Sequence, residues 1–91
     1  MRKNITDTRT KEEILESIRT LVEHKGGFVV IPRNKDLKVT LDGNWYRVAE
    51  INDHMEAMII HIPKGFGAHF PLKAMRRQQL LKIEKTLTND N

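Results

Sequence analysis

The stretch Met58-Ile59-Ile60-His61-Ile62 is followed by the segment Pro63-Lys64-Gly65-Phe66-Gly67-Ala68-His69-Phe70-Pro71 and then by a basic region, residues 72–87. The first part is an apolar run closed by proline, which predicts a β-strand. In the third part apolar side chains recur at helical spacing, which predicts a C-terminal helix that begins at Leu72. The stripe of this helix comprises Leu72, Met75, Leu80, Ile83 and Leu87. We predict that the glycine-containing middle part is a loop between strand and helix.

A first helix is predicted to begin near Thr10. Thr10 is followed three residues later by Glu13, the spacing of a capping box in which each side chain bonds the backbone amide of the other residue. Gly26 and Gly27 supply the stop, since glycine readily adopts the left-handed conformation that ends a helix. Between these signals lies one apolar stripe, formed by Ile14, Leu15, Ile18, Leu21 and Val22.

The middle of the chain contains β runs separated by turn signals. These runs are residues 28–31, 37–41, 45–51 and 57–62. Asp42-Gly43-Asn44 predicts a hairpin between the second and third runs. Residues 37–41 alternate between apolar and polar, so only one face of that strand is apolar. We therefore predict an α+β fold with an N-terminal helix, a three- or four-stranded antiparallel meander and a C-terminal helix, with both helices on one sheet face.

The composition bounds the class of protein. The chain has 91 residues, no cysteine and a formal net charge of +4. We expect a single small domain over residues 1–91, with residues 1–9 and 88–91 flexible. The absence of cysteine excludes a disulfide scaffold and a thiolate metal site. No signal peptide and no apolar run of membrane-spanning length is found, so we expect a cytoplasmic protein without a membrane partner.

Positive charge concentrates in the last third of the chain. Residues 57–88 contain six lysines and arginines against Glu84 alone. This concentration favours contact with nucleic-acid phosphates, with DNA and RNA both open, although a solvated helix with ordinary surface cations is the alternative. The predicted nucleic-acid or anion site comprises Lys64, Gly65, Gly67, Lys73, Arg76, Arg77, Lys82 and Lys85.

The predicted start of the C-terminal helix suggests how an anion would be held. With Pro71 at the first helical position, Phe70 becomes the N-cap, and a phenylalanine side chain has no acceptor for the free amides of the first turn. Those amides, together with Lys64, are predicted to bind an anion such as a backbone phosphate. The alternative is that Gly65 and Gly67 only supply unusual backbone angles and that water satisfies the amides.

The strand that opens with Trp45 offers a second candidate surface. On a regular strand Trp45 shares its face with Arg47, Ala49 and Ile51. We predict that Trp45 packs in the core. If its face instead lies outward, Trp45 and Arg47 form a binding hot spot. Arg33 and Lys35, on a turn, would extend a basic surface if the fold brings them alongside.

Two other function classes stay open from the sequence. A protein-interaction module or homodimer would use Leu81, which lies opposite the helix stripe, and an exposed sheet face. A small ribonuclease-type toxin would draw on the histidines, yet their spacing selects no acid–base pair. We expect no catalytic residues and no cofactor. We also expect no metal site, because His61 and His69, which could meet across the 63–71 loop, are too few ligands for zinc. His61 is predicted to sit at a strand end with its ring hydrogen-bonded.

Overall fold

A computed structural model describes residues 7–89 of the chain, and residues 1–6 and 90–91 lie outside this described part. Two helices and five strands follow one another along it. In chain order they are α1 (Lys11–His24), β1 (Phe28–Val30), β2 (Lys38–Leu41), β3 (Asn44–Asn52), β4 (Glu56–His61), β5 (Gly67–Pro71) and α2 (Arg77–Thr88). Short 3₁₀ turns precede β2 and α2, at Arg33–Lys35 and Leu72–Ala74.

Local signals set both ends of α1. The Glu13 amide donates to Thr10 Oγ1 at 3.1 Å and the Thr10 amide donates to Glu13 Oε1 at 2.7 Å, so the predicted capping box is confirmed. At the other end the Gly26 amide donates to the Glu23 carbonyl, and the Gly27 amide donates to the Val22 carbonyl. This pair of bonds is a Schellman motif, and Gly26 has the positive φ of 96° that the motif requires.

The strands form one antiparallel sheet with β3 near its centre. β1 and β2 both pair with the same side of β3, β4 pairs with its other side, and β5 pairs with β4. The β2–β3 hairpin turns through Asp42 and Gly43, whose φ angles of 52° and 80° are those of a type I′ turn. The predicted α+β class, the hairpin and the antiparallel sheet are confirmed, and the sheet has five strands where three or four were expected.

The additional strand overturns the predicted start of the C-terminal helix. Residues 67–71 are not a loop, because they pair with β4 from Gly67 opposite Ile60 to Pro71 opposite Glu56. The following 3₁₀ turn ends at Met75, whose extended backbone interrupts the helical path, and α2 begins only after Arg76. The predicted helix start, at Leu72 or with Pro71 at the first helical position and Phe70 as the N-cap, is therefore wrong.

A β-bulge in β3 changes which side chains share a face. Val48 lies opposite Ile59 but Glu50 lies opposite Met58, so Ala49 is an extra residue without a partner on β4. Side chains before and after the bulge therefore differ in alternation: Trp45 is exposed whereas Ile51 is fully buried. The predictions that Trp45 packs in the core and that it shares a face with Ile51 are both wrong.

The core lies between one face of the sheet and the two helices, which also contact each other. Its side chains are Ile14, Ile18, Val22, Val29, Ile31, Leu37, Val39, Val48, Ile51, Ala57, Ile59, Leu72, Met75, Leu80, Ile83 and Leu87. Each of the larger ones stabilises the fold by about 1.5–3 kcal/mol through burial. Both helices thus cover one sheet face, as predicted, and the opposite face is open and carries Phe28, Val30 and Trp45.

The segment before α1 is held in place rather than free. The Arg9 guanidinium bonds Asp7 at 2.8 Å and Glu84 of α2 at 2.6 Å. Arg77 adds a bond to Asp7 and another to the Arg9 carbonyl. Asp7 and Arg9, which belong to the predicted flexible lead-in, are thus bonded to α2, and the rest of that lead-in falls mainly outside the described residues. Within residues 7–89, neither helix has the length and apolar content that a membrane crossing requires.

Candidate nucleic-acid interface

A basic surface with an aromatic side chain forms where the β2–β3 hairpin meets the start of α2. Three adjoining depressions, of about 400, 460 and 250 Å³, all have Lys38 in their walls. The first runs between the hairpin and α2, the second lies beside Trp45 and Ile62, and the third lies beside Arg33 and Arg47. We call the combined region the Lys38 surface.

The cations of the Lys38 surface come from separate parts of the chain. They are Arg33 before β2, Lys38 on β2, Arg47 on β3, Arg76 at the N-cap of α2 and Lys82 within α2. Among the described residues that line the three depressions, Asp42 is the only carboxylate. The surface therefore carries a clear positive excess, which raises the local concentration of anions.

Lys38 makes one ion pair that leaves it available to a ligand. Its Nζ lies 3.3 Å from Asp36 Oδ1, and both side chains are well exposed. Exposed pairs of this kind contribute about 0–1 kcal/mol and are screened by salt. A phosphate can therefore replace the carboxylate of Asp36 at little cost.

Trp45 provides an accessible aromatic face within this basic surface. Its side chain is 53% exposed, and it borders two of the three depressions together with Lys38. An indole ring left half in water beside cations is suited to stacking on a nucleic-acid base, because every base has a π-face. Trp45 is also the only tryptophan in the sequence.

Side chains of α2 fix the helix against the edge of β2. Gln79 Nε2 donates to the Thr40 carbonyl at 2.5 Å, while Gln79 Oε1 accepts from the Arg76 amide at 3.1 Å. Lys82 Nζ donates to the Lys38 carbonyl at 2.9 Å. Arginine has no acceptor atom, so Arg76 cannot cap the first turn of α2, and that positively polarised helix end also faces the cleft.

The predicted anion-binding residues divide into two groups. Arg76 and Lys82 lie on the Lys38 surface, and Gly65 lines its third depression. Lys64 and Gly67 belong, like Gly65, to the β4–β5 hairpin, because the glycine segment connects two antiparallel strands rather than a strand and a helix. The anion cradle at a strand-to-helix junction, as first predicted, therefore has no counterpart at this position.

The remaining predicted residues point elsewhere. Arg77 is half-buried and bonds Asp7 and the Arg9 carbonyl. Lys73 borders a separate cleft of about 650 Å³ that it shares with the acidic side of α1. Lys85 lies in the last turn of α2 and lines none of the depressions described above. These three cations do not join the Lys38 surface.

Sequence reasoning did not single out Lys38, the residue on which the surface centres. The alternation of residues 37–41 does place Lys38 on the wet side of its strand, and this was the available signal. What local patterns could not supply is the approach of α2, which brings Arg76 and Lys82 beside that strand.

The histidines are dispersed. His61 is buried at the end of β4, where its Nδ1 accepts the Lys64 amide at 3.3 Å and its ring stacks on Phe66 with centroids 4.7 Å apart. This confirms the prediction of a hydrogen-bonded ring at a strand end. His54 is exposed in the β3–β4 turn and His69 lies on β5. In the part of the chain that the structure describes, no three histidines or carboxylates are grouped closely enough to hold a metal ion.

Leu81 does not provide the free apolar surface considered for a partner, because it is half-buried and packs against the core.

No family model matches the chain, and comparison with curated proteins and with solved structures likewise gives no significant match.

Proposed function

We propose that this protein binds single-stranded nucleic acid, without catalysing a reaction on it, through the Lys38 surface. One observation carries the proposal: five cations from separate segments of the chain line three adjoining depressions, and three of them, Lys38, Arg76 and Lys82, share a depression with the exposed Trp45. Scattered surface lysines would not produce this arrangement of charge and aromatic surface. The pairing of cations with a stacking platform is the recurrent solution for binding single strands.

The cations would contact backbone phosphates. Arg76 and Lys82 lie on one side of the cleft and Lys38 on the other, so a strand that runs along the cleft meets positive charge on both sides. Each phosphate contact releases condensed counterions, which makes affinity salt-dependent with a slope of about −0.7 per phosphate on single strands. Three to five contacts would weaken binding roughly 20- to 100-fold between about 50 and 200 mM salt.

Trp45 would take a base. In a duplex the bases are already stacked on each other, whereas a single strand can turn one onto an indole ring at a gain of about 1–3 kcal/mol. This favours single strands over duplexes. Because the sequence has no second tryptophan, the tryptophan emission of the protein, excited selectively over that of Tyr46, reports on this position alone.

The test is a titration of the protein with DNA and RNA single strands of about 12 nucleotides, with a duplex of equal length alongside. Anisotropy of a labelled strand at two salt concentrations gives the affinity and its salt slope, and tryptophan emission gives the stacking. We expect salt-sensitive binding of the single strand, quenching of Trp45, and a several-fold loss of affinity in Trp45→Ala.

Two variants of α2 provide a matched comparison. Lys82→Gln removes a cation from the cleft, while Lys85→Gln removes the same charge one turn away and outside it. Only the first should reduce both the affinity and the salt slope. Binding that ignores salt, or saturation without any change in the emission of Trp45, would rule the proposal out.

A further inference from the structure

The two outer edges of the sheet are treated differently by the rest of the chain. On β2, the outward carbonyls of Lys38 and Thr40 accept hydrogen bonds from Lys82 and Gln79 of α2. This edge is therefore covered by side chains. Natural proteins protect sheet edges in this way because bare backbone groups are a template for pairing with another strand.

No side chain of the described residues covers the edge formed by β5 in this way. The Phe66 carbonyl accepts the His61 amide and the Leu72 amide donates to the Met55 carbonyl, which fixes the alternation along the strand. Residues 66, 68, 70 and 72 thus turn their backbone groups to β4, and Gly67 and His69 turn theirs outward. Both are exposed, and among residues 7–89 no side chain bonds these outward groups.

The sequence of β5 also lacks the usual protection. Gly67-Ala68-His69-Phe70-Pro71 contains no lysine or carboxylate, and its pairing with β4 has no bulge. Only Pro71, at the last position, blocks extension of the ladder. A short and regular edge strand, without lysine or carboxylate, is thus presented to solvent.

We propose that β5 pairs with β5 of a second copy of this chain, antiparallel about a two-fold axis at Ala68. In this register Gly67 of each copy exchanges both backbone hydrogen bonds with His69 of the other, so that all four outward groups of Gly67 and His69 are used in each copy. An axis at His69 would instead place Gly67 opposite Pro71, which has no amide to donate. The proline therefore selects the register as well as ending the strand.

The side chains of this register are complementary. Residues 66 and 70 face each other across the axis, and both Phe66 and Phe70 lie on the helix-covered side of the sheet, where Phe66 stacks on His61. Two pairs of aromatic rings would therefore form, one on each side of the axis, and would cover Phe66, which is 53% exposed in the single chain. The small side chain of Ala68 at the axis allows the close approach that directly opposed residues need.

The size of the contact predicts weak association. A strand of five residues is roughly 17 Å long, so the contact falls below the standard interface of about 800 Å² from each partner. The first depression of the Lys38 surface, between the β2–β3 hairpin and α2, lies at the opposite edge of the sheet, so pairing through β5 leaves it open in both copies. Only the third depression extends to the β4–β5 hairpin, at Gly65. The second copy and the nucleic acid therefore use different edges of the sheet.

The test uses opposite charges at the axis. We expect sedimentation of the native chain to show a monomer–dimer equilibrium over protein concentrations of roughly 0.01 to 1 mM. Ala68→Lys and Ala68→Glu each place like charges directly opposite one another, and each should be monomeric over the same range. An equimolar mixture of the two should dimerise again, because only a strand paired with itself at Ala68 sets opposite charges face to face.

Thr40→Lys is the matched control, since it adds the same charge to an exposed position on the other edge strand, and it should dimerise as the native chain does. Circular dichroism confirms that each variant is folded, and slow exchange of the Gly67 and His69 amides at high protein concentration gives an independent readout. A native chain that stays monomeric at 1 mM, a dimer that persists in both charged variants, or a mixture that fails to associate would each overturn the proposal.

Discussion

The guanidinium of Arg9 holds the carboxylate of Glu84 at both oxygens, with Nη1 donating to Oε2 at 2.7 Å and Nη2 donating to Oε1 at 2.6 Å. Glu84 lies on α2, and its side chain is only 14% exposed. Ser17 of α1 donates to the same carboxylate. One acidic side chain therefore joins both helices and the segment that precedes them.

Replacing this carboxylate should lower stability. In Glu84→Gln the side chain keeps its size but loses its charge and one acceptor, so we expect the free energy of unfolding to fall by about 1–2 kcal/mol. For a chain of this length each kcal/mol corresponds to a decrease in Tm of about 4–8 °C. Thermal unfolding followed by circular dichroism measures it, with Glu16→Gln on the exposed face of α1 as the control. Equal Tm values for the two variants would contradict the structural role of Glu84.

The same cluster predicts loss of stability in acid. The hydrogen bond from Arg9 lowers the pKa of Asp7 from its ordinary 3.8 to about 2, and Arg9 also lowers the pKa of Glu84 from its ordinary 4.5. A carboxyl whose pKa is lower in the folded state stabilises the fold above its unfolded pKa and ceases to do so as pH falls through the folded value. Stability should therefore decline from about pH 5 towards pH 2.

Denaturant unfolding at several pH values checks this decline. Glu84→Gln should show a shallower fall in the free energy of unfolding over the same acid range, since one of the two carboxyls with a lowered pKa is gone. A variant whose pH dependence matches that of the native chain would show that the acid sensitivity arises elsewhere.

The turn that presents Trp45 depends on glycine. Gly43 has a φ of 80°, which a residue with a Cβ adopts only with strain. Gly43→Ala should lower the free energy of unfolding by about 1–2 kcal/mol and loosen the hairpin. Asp42→Asn, at the preceding turn position with a φ of 52°, should be nearly neutral because asparagine tolerates this conformation. Chemical denaturation distinguishes them, and similar losses in both would argue against a type I′ turn in solution.

Two neighbouring cations give the sharpest test of where nucleic acid binds. Arg33 lines a depression of the Lys38 surface, while Lys35 lies on the same short turn and lines none of its three depressions. Arg33→Gln should weaken binding of a single strand about threefold or more and reduce the salt slope by roughly 0.7 to 1. Lys35→Gln should change affinity less than twofold. Equal effects in an anisotropy titration would mean that net charge alone, and not this surface, determines binding.

The sequence predicted the elements whose signals are local. α1 begins and ends at residues that bond within a few positions of themselves, Thr10 with Glu13 and Gly26 with Glu23, so each signal could be read without knowledge of the fold. The β2–β3 hairpin could also be predicted from the sequence, because Gly43 lies within the turn that it forms.

The predictions from sequence were wrong or incomplete where contacts between residues far apart in the chain determine the structure. β5 contains two residues that weaken a strand, Gly67 and Pro71, and only its pairing with β4 makes it one. The Lys38 surface could not be predicted because its cations are far apart in the chain and are brought together by the docking of α2. Of the eight residues predicted to bind an anion, Gly65, Arg76 and Lys82 reach that surface.

Because Ala49 has no partner on β4, the side chains of β3 alternate between the two sheet faces in one phase before it and in the opposite phase after it. If Ala49 were instead paired as in a regular strand, Arg47 and Glu50 would project to opposite sides, and an indole at position 45 could stay in water only if Ile51 did too. The extra residue therefore separates the hairpin end of β3, where Trp45 is exposed, from the other end, where Ile51 is buried in the core. Side chains at the exposed end can then be replaced without a change in the buried ones. For the same reason, a one-residue shift of the pairing at Ala49 would turn the buried side chains of half of β3 to solvent and its exposed side chains to the core. Such a shift should lower the free energy of unfolding more than the replacement of any single side chain nearby.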